Sequence, residues 1–228
     1  FDHPCPCLQQ GQLAKAKETV DKCIDLLNSV PNNRAVCFRM PCCDSINSVS
    51  PRFFTEIFDK TTSASNFLEL DSSVFTCFTP ADPSLPRELL FEADGTERFR
   101  KYIPKELPAG GGVRRNFVNI IENCPYPYVI GRGCWELPCM APSDWSAQFL
   151  HKPNNPQTVQ DWKIALDLTV QKQGVFNLVF HPHNWIKPQQ VVEFIDHAIT
   201  RHGGKVKFLS FREVRDRLVK HATAGQPL

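Results

Sequence analysis

The chain has 228 residues, enough for one α/β domain that buries a sizeable core. With 42% hydrophobic and 22% charged residues and a net charge of +2, it reads as globular, and the charge gives no reason to propose nucleic acid or an anionic membrane as partner. No apolar run approaches the roughly 20 residues that a membrane-spanning helix needs.

In chain order, residues 12–29 predict a helix with Leu13, Ala16, Val20, Cys23, Ile24 and Leu27 on one face, ended by the turn Pro31-Asn32-Asn33. Residues 35–40 predict a short buried strand. Ser50-Pro51 caps and opens a helix carrying Phe54, Ile57 and Phe58. Residues 67–78 read as a strand with an irregular end. Residues 79–126, with several prolines and Gly110-Gly111-Gly112, predict a long excursion over one face with a mobile tip.

The pattern sharpens from residue 156. A helix is expected over 157–172, with Val159, Trp162, Leu166 and Val170 on one face and Gly174 as its stop. The apolar run 175–181 predicts a buried parallel strand. A helix over 188–201 carries Val191, Ile195, Ala198 and Ile199 and ends at Gly203-Gly204. Residues 205–209 predict a strand, and Ser210 with Glu213 makes a capping box for the last helix. Such alternation predicts a parallel sheet or barrel with its active site at the carboxyl ends of the strands. That rule puts Arg39 and His181 on the functional face.

The ten cysteines, Cys5, Cys7, Cys23, Cys37, Cys42, Cys43, Cys77, Cys124, Cys134 and Cys139, all precede residue 140. In an oxidising compartment some pair, with Cys5 or Cys7 and Cys42 or Cys43 as candidates. In a reducing one they are buried thiols or metal ligands. No pair has C-x-x-C spacing, which favours structural thiols or disulfides over a cysteine metal site.

Four short segments carry the groups suited to chemistry. An apolar run ends in His181-Pro182-His183, where an imidazole can exchange protons near neutral pH. Phe38-Arg39-Met40-Pro41-Cys42-Cys43-Asp44 puts an arginine at a strand end, a position that calls for a carboxylate partner. Ser143-Asp144-Trp145 offers a carboxylate to hold a histidine and an aromatic wall. His3-Pro4 adds one more imidazole. Taken singly, each segment also has a plain structural explanation, as a loop hydrogen bond, an ion pair or a surface residue.

Together, in this order, they resemble the polysaccharide deacetylase family, carbohydrate esterase family four or NodB homology domain. Phe1-Asp2-His3-Pro4 resembles the tail of its second motif, Arg39-Met40-Pro41 the third, Asp144-Trp145 the fourth, and Val175 to His181 the fifth. Asp161-Trp162 is an alternative fourth motif, ranked lower because Trp162 fits the buried face of its helix. The first motif, with its two aspartates, has no counterpart in the chain. The first histidine of the second motif falls two positions before Phe1, and Cys42 stands where the family has an aromatic.

The resemblance implies an irregular (β/α) barrel over residues 1–228, lacking its first strand or strands. It implies a divalent metal, Zn above Co, Ni or Mn, with His3 as a ligand. It further implies that Arg39 orients a catalytic aspartate, that His181 protonates the leaving group and that Asp144 fixes the His181 ring. Pro41, Cys42, Trp145, His183, Trp185 and Trp135 are the implied substrate contacts. The implied reaction is N- or O-deacetylation of an acetylated polysaccharide or oligosaccharide, in an extracellular, periplasmic or cell-envelope setting. Residues 1–228 by themselves are expected to be inactive and to bind zinc weakly, because the first motif is missing. A cytoplasmic C–N hydrolase of small linear or cyclic amides, and a non-catalytic carbohydrate-binding or scaffold domain, are the alternatives.

Overall fold

The computed structural model describes residues 13–46, 53–58, 68–103, 118–130 and 134–224. In chain order the elements are α1 (Leu13–Asn28), β1 (Cys37–Phe38), β2 (Leu70–Asp71), β3 (Phe75–Cys77), α2 (Arg87–Leu90), β4 (Ile120–Glu122), β5 (Tyr128–Ile130), β6 (Cys134–Glu136), β7 (Cys139–Met140), α3 (Asp144–His151), α4 (Pro156–Gln171), α5 (Pro188–His197) and α6 (Phe211–Ala224). They fall into two compact units. One contains the described residues up to Ser73, those of 127–137 and those from Phe208 onward; the other contains those of 74–126 and 138–207. The strands form two open sheets and close no barrel among the described residues. No helix among them is long and apolar enough to cross a membrane.

The first unit is built on a sheet of order β1-β2-β6-β5, parallel except for the antiparallel edge strand β5. Phe38 pairs with Asp71 and Asp71 with Glu136, so Arg39, Asp71 and Glu136 sit at or just past the carboxyl ends of three adjacent parallel strands. Ala16 and Ile24 of α1 bury against Met40, Phe53, Ile57, Leu68 and Cys134. Leu27, expected on the same face, is exposed. Val36, Leu70, Leu137 and Leu218 form a second cluster under α6. The expected capping box opens α6: the Ser210 amide donates to Glu213 Oε2 at 2.7 Å, and the Glu213 amide donates to Ser210 Oγ at 3.3 Å. Arg215 then grips Glu69 through two N–H donors, one to each carboxylate oxygen.

The second unit holds the parallel sheet β4-β3-β7. One apolar cluster joins Val159, Trp162 and Leu166 of α4 to Ile186 and to Phe194 and Ala198 of the next helical segment. Trp162 is fully buried, and its indole N–H donates to the Pro142 carbonyl at 2.8 Å, satisfying the one polar atom such a side chain carries into a core. Within the stretch 79–103, Leu85, Leu90, Phe99 and Tyr102 are all buried, and Phe99 packs edge-on to Phe78. Asp161 is buried beside them. It pairs with Arg98 at 2.9 Å and accepts hydrogen bonds from Tyr102 and Gln157.

Residues 175–181 and 205–209, both expected as strands, form none. Asn177 and Val179 accept from the amides of Met140 and Asp144 at 2.8 and 3.3 Å. Two carbonyls two residues apart thus serve donors four residues apart, so no continuous ladder can develop. In 205–209, Phe208 and Leu209 are exposed. The end of α4 also departs from expectation. Gln173 adopts the left-handed conformation that stops the helix (φ 54°), and Gly174 is required for another reason. A Cβ at Gly174 would lie 2.5 Å from Pro125 Cγ and 2.7 Å from the Pro125 carbonyl oxygen.

Gly174→Ala is therefore expected to destabilise the protein by about 1–3 kcal/mol through overpacking. A lowered urea midpoint measures it, and an unchanged midpoint removes the claimed close approach. Asp161→Ala strands Arg98, whose side chain is only 12% exposed and keeps Glu92 at 3.4 Å as its remaining acid. The expected loss is about 3 kcal/mol, the low end for one partner of a buried pair.

Candidate functional site

The best-defined polar constellation in the second unit grows from the start of α3. Ser143 is its N-cap and accepts from the Ser146 amide at 3.1 Å. That cap places Asp144 in the first turn, where the helix dipole favours a negative charge. Asp144 is 1% exposed. A carboxylate so buried must have its oxygens hydrogen-bonded. The donors are the His181 amide to Oδ2 at 2.7 Å, His181 Nδ1 to Oδ1 at 2.8 Å and the Trp145 amide to Oδ1 at 2.8 Å.

The side chain of His181 is 45% exposed, although its carboxylate partner is fully buried. Donation from Nδ1 to Asp144 fixes the tautomer and the plane of the ring. Nothing among the described residues hydrogen-bonds Nε2, which is left available to a ligand. The arrangement is a carboxylate–imidazole dyad: a buried acid that orients an accessible proton carrier.

Aromatic rings flank the dyad. The indole of Trp185 stands edge-on to His181 at 5.1 Å and to His183 at 5.0 Å. Trp145 packs edge-on to Phe149 at 4.8 Å, and Phe149 is 63% exposed. Exposed rings of this kind offer flat apolar faces beside a polar centre, as binding sites for small organic ligands do.

Five of the expected residues, Asp144, Trp145, His181, His183 and Trp185, thus share this region of the second unit. Arg39, Pro41, Cys42 and Trp135 belong to the first unit. Arg39 does lie beside a carboxylate. Its Nε donates to the Ser72 carbonyl at 3.0 Å and its Nη2 to Ser72 Oγ at 2.7 Å, and its charge favours ionisation of neighbouring Asp71. Pro41 opens the short 3₁₀ turn Pro41–Cys43. Cys42 is disulfide-bonded, so its thiol is not available as a substrate contact. Trp135 packs on the cluster of Val36, Leu70, Leu137 and Leu218, a sheet position. His3 lies outside the described residues.

Sequence reasoning missed Asp71 and Glu136. The two acids are 1% and 0% exposed, pair in register and hydrogen-bond to each other. Ser73 Oγ donates to Asp71 Oδ1 at 2.7 Å and accepts from the Met40 amide at 2.8 Å, tying the pair to the segment after Arg39. Burial pushes the Asp71 carboxyl above the ordinary range, opposed in part by the bonds from Glu136 and Ser73 and by the Arg39 charge. The signal available in the sequence was a charged residue closing each of two otherwise apolar strands.

For metals, one group of His, Cys, Asp or Glu among the described residues has ligand atoms close enough to share an ion: Asp167, His197 and His202. No cysteine joins it. Burial pushes the Cys77 thiol up to about 12, the opposite of what a metal-binding thiolate needs. No family model matches the chain, and neither a curated protein nor a solved structure matches it.

The raised carboxyl of Asp71 has a pH signature. An acid whose folded-state pKa exceeds its unfolded value of about 3.9 contributes stability that is complete below that value and fades as pH climbs through the folded one. Asp71→Asn removes this titration while keeping an acceptor for Ser73. Its melting temperature relative to the wild type is expected to rise progressively as pH climbs above about 4. A constant difference across that range would mean that Asp71 ionises normally in the fold.

Proposed function

We propose that this chain is part of a hydrolase of the polysaccharide deacetylase type, which removes acetyl groups from an acetylated polysaccharide or oligosaccharide, with His181 as the general acid and Asp144 as the residue that positions it, and that residues 1–228 by themselves are inactive. The observation that carries the reading is the double grip of one buried carboxylate on the amide and Nδ1 of a single exposed histidine. A histidine that served only the fold would have no need of a rigidly oriented, accessible Nε2.

Hydrolysis adds water across the acyl C–N or C–O bond. The water oxygen bonds to the carbonyl carbon, the bond to the sugar nitrogen or oxygen breaks, and the departing atom takes a proton. The imidazolium form of His181 supplies that proton from Nε2–H, and the proton released by the attacking water passes to solvent, from which the half-exposed ring is re-protonated. Asp144 keeps its bond to Nδ1–H before and after the transfer, so the ring holds its orientation in both charge states. The rings of Trp185 and His183, and those of Trp145 and Phe149, give a sugar ring apolar faces to pack on.

The zinc-type ion that the resemblance implies does not fit the dyad itself. Both oxygens of Asp144 are taken by N–H donors, so this carboxylate acts as a positioning group and not as a ligand. Of the implied ligands only His3 is in the sequence.

Acetate release from N-acetylated chitooligosaccharides, measured on a chain extended upstream to carry the two aspartates of the first motif, tests the proposal. His181→Gln is expected to lower kcat by about 10²–10⁴ with little change in KM, the usual contribution of a general acid. Asp144→Asn is expected to cut kcat by at least about 10², since an amide presents the wrong partner to Nδ1. Full turnover by His181→Gln in that extended chain, or robust, chelator-sensitive turnover by residues 1–228 alone, would sink the reading.

A further inference from the structure

A second cluster of ligating groups lies between α4 and the end of α5, and the geometry of a widened helical turn creates it. His197 and His202 are five residues apart. On an α-helix at 3.6 residues per turn they would point about 140° away from each other. Here α5 passes at His197 into a π-helical turn over Ala198–His202, closed by Gly203 at φ 49°. Such a turn bonds each residue to the fifth one along and so stacks the two side chains on one side; π-turns of this kind recur at functional sites. Both imidazoles then face Asp167 of α4. His197 Nε2 lies 2.8 Å and His202 Nε2 2.7 Å from the same oxygen, Asp167 Oδ1. The three ligand atoms all lie within 4.8 Å of one another. The side chains are 20%, 11% and 18% exposed in the order His197, His202, Asp167, sheltered but open to an ion.

We infer that Asp167, His197 and His202 form a binding site for a borderline divalent transition-metal ion, Zn²⁺ above all. Two imidazoles and one carboxylate, with further positions left to water, are a ligand set suited to that ion, whereas Ca²⁺ and Mg²⁺ prefer all-oxygen sites. Ligands about 2.0–2.2 Å from a tetrahedral ion stand roughly 3.3 Å apart, so each Nε2–Oδ1 separation needs to widen by only about half an ångström to admit the ion. Each Nε2 gives its proton up to become a ligand, and a neutral ring keeps a proton on Nδ1. The Arg201 guanidinium forms an ion pair with Asp167 Oδ2 at 3.0 Å, on the carboxylate oxygen that the two imidazoles leave free. Lys163 and Glu193, one helical turn away on α4 and α5, pair with each other at 2.5 Å.

Zinc titration of the chelator-stripped protein, followed by calorimetry and by the melting temperature, tests this. One equivalent of zinc is expected to bind and raise the melting temperature. His202→Gln and Asp167→Asn should each weaken binding at least tenfold, while His181→Gln and His3→Gln keep it; far-UV circular dichroism checks that the variants fold. Failure of the deacetylation proposal would show in acetate release and leave this titration untouched. A measurement that needs no variant is an anomalous difference map at the zinc edge, with a peak expected between the three side chains. A peak elsewhere, undiminished binding in His202→Gln, or loss of binding in His3→Gln alone would overturn the site.

Discussion

A carboxylate withdrawn from water organises the second unit. Asp144 has no solvent to share its charge, so protein N–H groups must do so, and an unpaired group there would cost several kcal/mol. Two of the three donors come from a residue 37 positions later, His181. The third is the amide of its neighbour Trp145. The same requirement therefore joins the start of α3 to the end of the 175–181 segment and gives that segment a fixed position without a strand ladder. Structure and chemistry share one cause: the bonds that satisfy the acid also set the tautomer and the plane of the imidazole.

The first unit solves a similar problem differently. Asp71 and Glu136 enter its interior in register on neighbouring parallel strands. They bond to each other, with Ser73 and the Arg39 charge beside them. Arg39 contributes through Ser72 and through its field on Asp71, a positioning role for a strand-end acid. Parallel strands place their polar carboxyl ends along one edge, and that geometry concentrates Arg39, Asp71 and Glu136 there.

The Asp167 cluster arises from a third device, a change of helical pitch. Nothing in the residue types from Ala198 to His202 marks a π-turn. Its consequence is local and large, because it turns two histidines that an α-helix would separate toward a common acid.

Read alone, the sequence determined what depends on neighbours along the chain. The extents of α1 and α4, the start of α6 at the reciprocal Ser210–Glu213 cap, and the buried Trp162 face were all legible in it. These follow from periodicity, capping and local residue pattern. The tertiary structure decided what depends on partners far away. It left 175–181 and 205–209 without a ladder, because strand identity requires a neighbour in register. It assigned Gly174 to a close approach by Pro125 and the left-handed turn to Gln173. It paired Asp71 with Glu136 across 65 residues of sequence. Burial and register are properties of the packed chain, and no single segment carries them.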